Sequence, residues 1–150
     1  MSTKSAIVYT DGAFFDVHNV GVYAFVVLAG NEDVIYSDSN FVPSKYNKSR
    51  QIGAELLAVI KAIEYCVKNK VNLIELYTDF IGLQNWLTGK WKIKAEVVSL
   101  MVSQISKLTK DNNIKLSIHH VDAHSGDKWN EVADKMCLAT LTKSKSRMRG

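Results

Sequence analysis

Three strand-like runs arrive in succession and one long helical period follows them, an order that constrains the fold more than any other feature of the chain. Ala6 to Thr10 reads as a buried strand, Val20 to Ala29 as a second, and Val34 to Val42 as a third beyond a turn at Gly30-Asn31-Glu32-Asp33. Strands so close in sequence fit an antiparallel meander. Pro43 ends the third and opens a polar loop, Ser44 to Arg50. From Gln51 to Asn69, the residues Leu56, Leu57, Val59, Ile60, Ile63 and Val67 recur at helical spacing. A strand from Asn72 to Thr78, reached through that helix, is expected to lie parallel to an earlier one. The pattern then predicts a short helix over Phe80 to Leu87, a longer one over Ala95 to Thr109, a strand over Ile114 to Val121 and a last helix over Lys128 to Leu141. This is an α/β fold with a mixed five-stranded sheet flanked by helices. No repeat or linker divides it, so one domain is expected over 1–142, with a basic tail at 143–150.

Four carboxylates punctuate this framework. Asp11 closes the first apolar run, Asp79 closes the fourth strand, Glu55 lies early in the long helical pattern, and Asp134 sits in the last helix. Acids at two strand ends and on two helices can converge at one edge of an α/β sheet. Like charges placed together repel, and burial raises the pKa of each. Such a cluster is tolerable mainly when divalent cations occupy it, and hard Mg²⁺ prefers oxygen ligands. Metal-assisted phosphodiester chemistry is the natural reading.

The remaining composition sets limits. The net charge of +4 is matched by Lys143, Lys145, Arg147 and Arg149, so the body is close to neutral and charge alone does not argue for nucleic acid. No apolar stretch is long enough to span a bilayer, and the N-terminus lacks the apolar core of a signal peptide. Cys66 and Cys137 have neither CxxC nor zinc spacing and read as small buried hydrophobes in a reducing cytoplasm. A cytoplasmic monomer is expected.

The motifs around the four acids carry a resemblance. Tyr9-Thr10-Asp11-Gly12-Ala13, Ala54-Glu55-Leu56-Leu57-Ala58, Tyr77-Thr78-Asp79 and His124-x-Gly126-x-x-x-Asn130-Glu131-x-Ala133-Asp134 follow one another as in type 1 ribonuclease H. Each piece is weak alone, but the ordered set covers the chain from about Ala6 to about Leu141 and is specific. The resemblance implies a ribonuclease H-like fold with strand order 3-2-1-4-5, in which Asp11 and Asp79 are neighbours. It implies an endonuclease that cuts the RNA strand of RNA–DNA hybrids, leaving 5′-phosphate and 3′-hydroxyl ends. Two Mg²⁺ ions, with Mn²⁺ as a substitute, are the implied cofactors. Asp11 would bridge both, Asp134 would complete the site nearer the attacking water, and Glu55 with Asp79 the site nearer the leaving group. His124, in a Gly-containing loop, suits a proton carrier or an aid to product release. Glu131, one turn before Asp134, is either an auxiliary metal group or a solvated acid.

Substrate contacts are expected in two places. Discrimination of RNA requires groups near 2′-hydroxyls, and Gln51 in the segment before Glu55, with Gly12 and Ala13 beside Asp11, occupies the natural position. Many relatives carry Asn where Gln51 stands. Trp86-Leu87-Thr88-Gly89-Lys90-Trp91-Lys92-Ile93-Lys94 interleaves indoles with lysines, which stack on sugars or bases and track phosphates. Lys90, Trp91 and Lys92 are the expected DNA-strand contacts. Trp86 is at least as well explained as a packed aromatic of the short helix, and Trp129 reads as packing. The chain lacks the longer basic protrusion that some family members carry there. His119 and His120 follow strand periodicity and read as structural or exposed. Competing readings are another nuclease on the same fold, such as a resolvase or exonuclease, and a hybrid-binding module without catalysis. The latter would have no need of all four acids.

Overall fold

The computed structural model describes residues 4–30, 33–122 and 127–149, with side chains as far as 143. Five strands, β1 (Ser5–Phe15), β2 (Val20–Ala29), β3 (Asp33–Phe41), β4 (Leu73–Thr78) and β5 (Lys115–His120), form one sheet in the order β3-β2-β1-β4-β5. The first three pair antiparallel, and β4 lies parallel to both β1 and β5. The four helices are α1 (Arg50–Lys68), α2 (Gly82–Leu87), α3 (Glu96–Asp111) and α4 (Lys128–Arg149). The mixed sheet and its strand order agree with expectation.

Alternation along the strands sorts side chains into two cores. On one face Ala6, Val8, Phe25 and Leu76 meet Leu56, Ile60 and Ile63 of α1 and Met101 and Ile105 of α3. On the other face α4 lays Ala133 and Cys137 on Val22 and Ala24. Tyr9, Val26 and Leu28 continue that second layer beneath Trp129, Val132 and Met136. A fully buried Leu or Ile contributes about 1.5–3 kcal/mol, so the α1 face, where Leu56, Ile60 and Ile63 are all buried, is the main source of stability. Helix α1 stops where Asn69 turns its amide and side chain onto the Tyr65 carbonyl and Lys70 takes a left-handed φ of 59°.

Beyond shifts of one or two residues at other ends, the structure departs from the sequence pattern in three places. β1 does not end at Asp11 but runs on to Phe15, because β2 continues to pair with it as far as Phe15↔Val20. The polar segment after Pro43 winds into a 3₁₀ turn, Ser44–Ser49. Helix α4 continues from the expected end at Leu141 to Arg149, so the backbone of the basic segment extends that helix.

The layers approach closely at Gly12. A β-carbon there would lie 2.4 Å from both the Ala54 carbonyl carbon and the Glu55 amide nitrogen, which are backbone atoms of α1 and have no rotamer to escape into. Gly12→Ala is therefore expected to force α1 off β1 and to destabilise the protein by at least about 1–3 kcal/mol, as overpacking does. Urea denaturation measures this. A variant as stable as the parent would show that the two backbones are not in contact.

Candidate active site

Sheet register delivers two of the four acids. Tyr9↔Tyr77 is the last β1–β4 pair, so Asp11 and Asp79 each stand two residues beyond the same rung. Glu55 is brought over them by the Gly12 contact, which seats the first turns of α1 directly on β1. One carboxylate oxygen from each of Asp11, Glu55 and Asp79 lies within 4.8 Å of the others. Asp134, on α4, completes the group by meeting the Asp11 carboxyl from the opposite side of the sheet edge. All four sequence-predicted acids thus converge, and Asp11, Asp79 and Asp134 line a cleft of about 320 Å³.

Electrostatics in this cleft are unfavourable without a counter-charge. Asp11 and Glu55 are only 5% and 3% exposed. Burial first, then the Asp79 and Asp134 charges, push the Asp11 carboxyl up from 3.8 to about 7. Burial likewise raises Glu55 well above the carboxylate range, with Asp11 and Asp79 adding to the effect and Gln51 partly opposing it. Glu55 Oε2 is buried without a hydrogen-bond partner. An orphaned carboxylate oxygen amid like charges is costly, and a hard cation would satisfy both demands at once. The donor set consists of carboxylate oxygens alone. A divalent cation fits these residues, held by Asp11, Glu55 and Asp79.

Other expected residues fall into distinct places. Gly12 is buried and contributes its carbonyl, which accepts a hydrogen bond from Gln51 Nε2 at 3.2 Å. Ala13 and Gln51 line the same cleft, as does Glu131. Lys90, Trp91 and Lys92 are exposed and lie apart from the residues lining the cleft, Trp91 with 44% of its surface free. Trp86 packs against Phe80 with ring centroids 5.6 Å apart, in keeping with a packing role. Trp129 joins the core layer under α4. His124 lies outside the described residues.

Asn130 and Cys137, to which the sequence pattern gave no role in the site, also line the cleft. Asn130 is buried with its Oδ1 unpartnered, and Cys137 places its thiol on the Asp11 and Val22 carbonyls at 3.9 and 3.8 Å. The signal for Asn130 was its position four residues before Asp134, on the same helix face. His120, read as structural or exposed, donates from Nε2 to the Asp79 carbonyl at 3.2 Å.

The RNase H family model matches residues 3–141. The Ribonuclease H of Wolbachia pipientis wMel is 33% identical over 153 residues, covering 94% of this chain and 98% of that protein. The crystal structure of RNase H1 from the halophilic archaeon Halobacterium salinarum NRC-1 superposes with a TM-score of 0.79 at 22% identity, covering 93% of this chain and 98% of the other. LC11-RNase H1 in complex with an RNA/DNA hybrid superposes with a TM-score of 0.66 at 14% identity, covering 91% and 99%. At those identities the two structures speak for the fold alone.

The raised carboxyls make a pH prediction for metal-free protein. Between pH 3.8 and about 7, folded Asp11 binds more proton than it would in the unfolded chain, so stability falls as pH rises through that window and levels off above it. The loss is expected to be on the order of 1–3 kcal/mol. Asp11→Asn should raise the Tm in EDTA at pH 8 and flatten the slope, and a divalent cation should restore the parent's stability at high pH. Thermal melts from pH 5 to 8 check this. A parent whose Tm rises over that range would contradict the burial of the charge cluster.

Proposed function

The chain belongs to the ribonuclease H family and hydrolyses the RNA strand of RNA–DNA hybrids, and from that premise we propose that Asp11, Glu55, Asp79 and Asp134 form its catalytic centre. The observation that supports this reading is the meeting of one carboxylate oxygen each from Asp11, Glu55 and Asp79 within 4.8 Å, beside a buried Glu55 Oε2 that has no hydrogen-bond partner. Asp11, central in the group, would bridge two Mg²⁺ ions, with Asp134 completing one site and Glu55 with Asp79 the other. Mn²⁺ would substitute, since both ions favour oxygen ligands. Ions held there would activate a water and neutralise charge on the phosphoryl group and the leaving oxygen.

The protein's own groups do the rest. Ala13 and Phe15 on β1 and Leu138 on α4 line the cleft, and the burial of Asp11 and Glu55 sets these carboxylates where their attraction for a cation is strong. Gln51 steadies Glu55 and the Gly12 carbonyl, and as an exposed residue that lines the cleft it is assigned to the RNA strand. His124 is assigned the proton-carrier role. The exposed Lys90, Trp91 and Lys92 are assigned to the DNA strand. Residues 1–142 constitute the catalytic domain in this reading, with 143–150 a basic extension. No helix among the described residues is long and apolar enough to cross a membrane.

Asp11→Asn is nearly isosteric and removes one charge from the centre of the cluster. It is expected to abolish cleavage of a labelled RNA–DNA hybrid in Mg²⁺ while leaving hybrid binding within a few-fold of the parent. The same assay on duplex DNA, duplex RNA and single strands should show cleavage of the hybrid alone. Near-parental rates in the variant would end the metal-ligand assignment. Replacing Lys90, Lys92 and Lys94 by Ala should weaken hybrid binding and flatten the slope of log affinity against log salt by up to about 2–3. Trp91→Ala should cost about 1–3 kcal/mol of binding if the indole stacks on a base. Fluorescence anisotropy across a salt series measures both, and an unchanged slope would move the DNA strand elsewhere.

A further inference from the structure

Of the four carboxylates, three are anchored by regular backbone. Asp11 is inside β1, Glu55 inside α1 and Asp134 inside α4, where ladder or helix hydrogen bonds fix the main chain on both sides. Asp79 is different. It is the first residue past β4, in a bend between Thr78 and the start of α2, so no secondary structure sets the direction in which its side chain leaves.

The chain compensates with contacts from β5 and from the turn itself. The Val121 amide donates to the Thr78 carbonyl at 2.8 Å, and the Phe80 amide donates to Thr78 Oγ1 at 3.1 Å. His120, which pairs with Thr78 on the last β4–β5 rung, reaches one residue further and donates from Nε2 to the Asp79 carbonyl. Nε2 must carry a hydrogen to make that bond, which leaves Nδ1 facing Asp122 Oδ1 at 3.7 Å. The ring thus substitutes for a ladder hydrogen bond at the rung where the sheet stops.

We propose that His120 is a positioning residue for Asp79: by holding the Asp79 carbonyl it fixes the exit of the carboxylate toward Asp11 and Glu55 and so sets the affinity of the cluster for a divalent cation. The inference rests on the reading of Asp79 as a metal ligand. Groups that orient ligands in this way typically change metal affinity by about 10–100-fold when removed, and a main-chain restraint belongs at the lower end.

Mn²⁺ binding to the substrate-free protein, followed by electron paramagnetic resonance of the free ion, tests this without relying on turnover. His120→Ala is expected to bind Mn²⁺ about tenfold more weakly, with the KM for hybrid unchanged and the rate recovering as Mn²⁺ is raised. His120→Gln, whose carboxamide N–H can reach the same carbonyl, should bind Mn²⁺ nearly as the parent does. The ring is half-exposed on a strand end, so neither variant should lose its fold, and melting in EDTA checks that. Parental Mn²⁺ affinity in His120→Ala, or equal weakening in both variants, would overturn the proposal. Asp79→Asn is the control for the underlying reading. If it bound Mn²⁺ undiminished, the metal site would fall and the proposal with it.

Discussion

The contact between Gly12 and the Ala54–Glu55 backbone is the constraint from which the candidate site follows. Without a side chain at Gly12, α1 sits on β1 at main-chain distance, and the Glu55 carboxylate arrives over Asp11 instead of projecting into solvent. The same helix carries Leu56, Ile60 and Ile63 into the main core. The hydrophobic packing that stabilises the fold therefore also presses like charges together. Charge repulsion of this kind is not strong enough to unfold a domain with a well-packed core, but it is strong enough to leave the apoprotein with an unmet demand for a cation.

The sheet decides where this demand is located. β1 keeps its antiparallel partner β2 to Phe15, whereas its parallel partner β4 leaves after Tyr77. Beyond that rung one side of β1 has no strand beside it, and the gap is walled by α1, α4 and the bend at Asp79. A strand longer than its neighbour thus creates the cleft, and Asp11 and Asp79 come from equivalent positions two residues past the last shared pair. Strand length and register, more than loop conformation, build the site.

Much of this was legible in the sequence. The β2 boundaries, the helical period of α1 and the crossover that makes β4 parallel all follow from local periodicity and hold in the structure. The four acids were legible because each sits in a distinctive local motif. The continuation of β1 past Asp11 was not, since Gly12 and Ala13 give little strand signal and the pairing that extends β1 comes from β2. The role of Gly12 escaped for a related reason: sequence suggests a glycine near substrate, while only the packed structure shows a backbone 2.4 Å from where its β-carbon would be. His120 read as an ordinary strand residue because its partner, a main-chain carbonyl 41 positions earlier, has no sequence signature.

Anchoring differs among the four acids in a way that bears on function. Asp11 and Glu55 are buried on rigid elements, and their geometry is set by the same packing that sets the stability of the protein. Asp79 and Asp134 are half-exposed at the edges of the cleft, and Asp79 in addition lies outside any strand or helix. A cation in the cleft would meet an inner pair shielded by the core and an outer pair that solvent reaches. Ions bound only by rigid ligands leave slowly, whereas an enzyme that must exchange product needs part of the coordination to loosen. Shielded and solvent-reached carboxylates in one cluster would reconcile those requirements, and at Asp79 the restraint comes from the His120 contact in place of strand or helix hydrogen bonds.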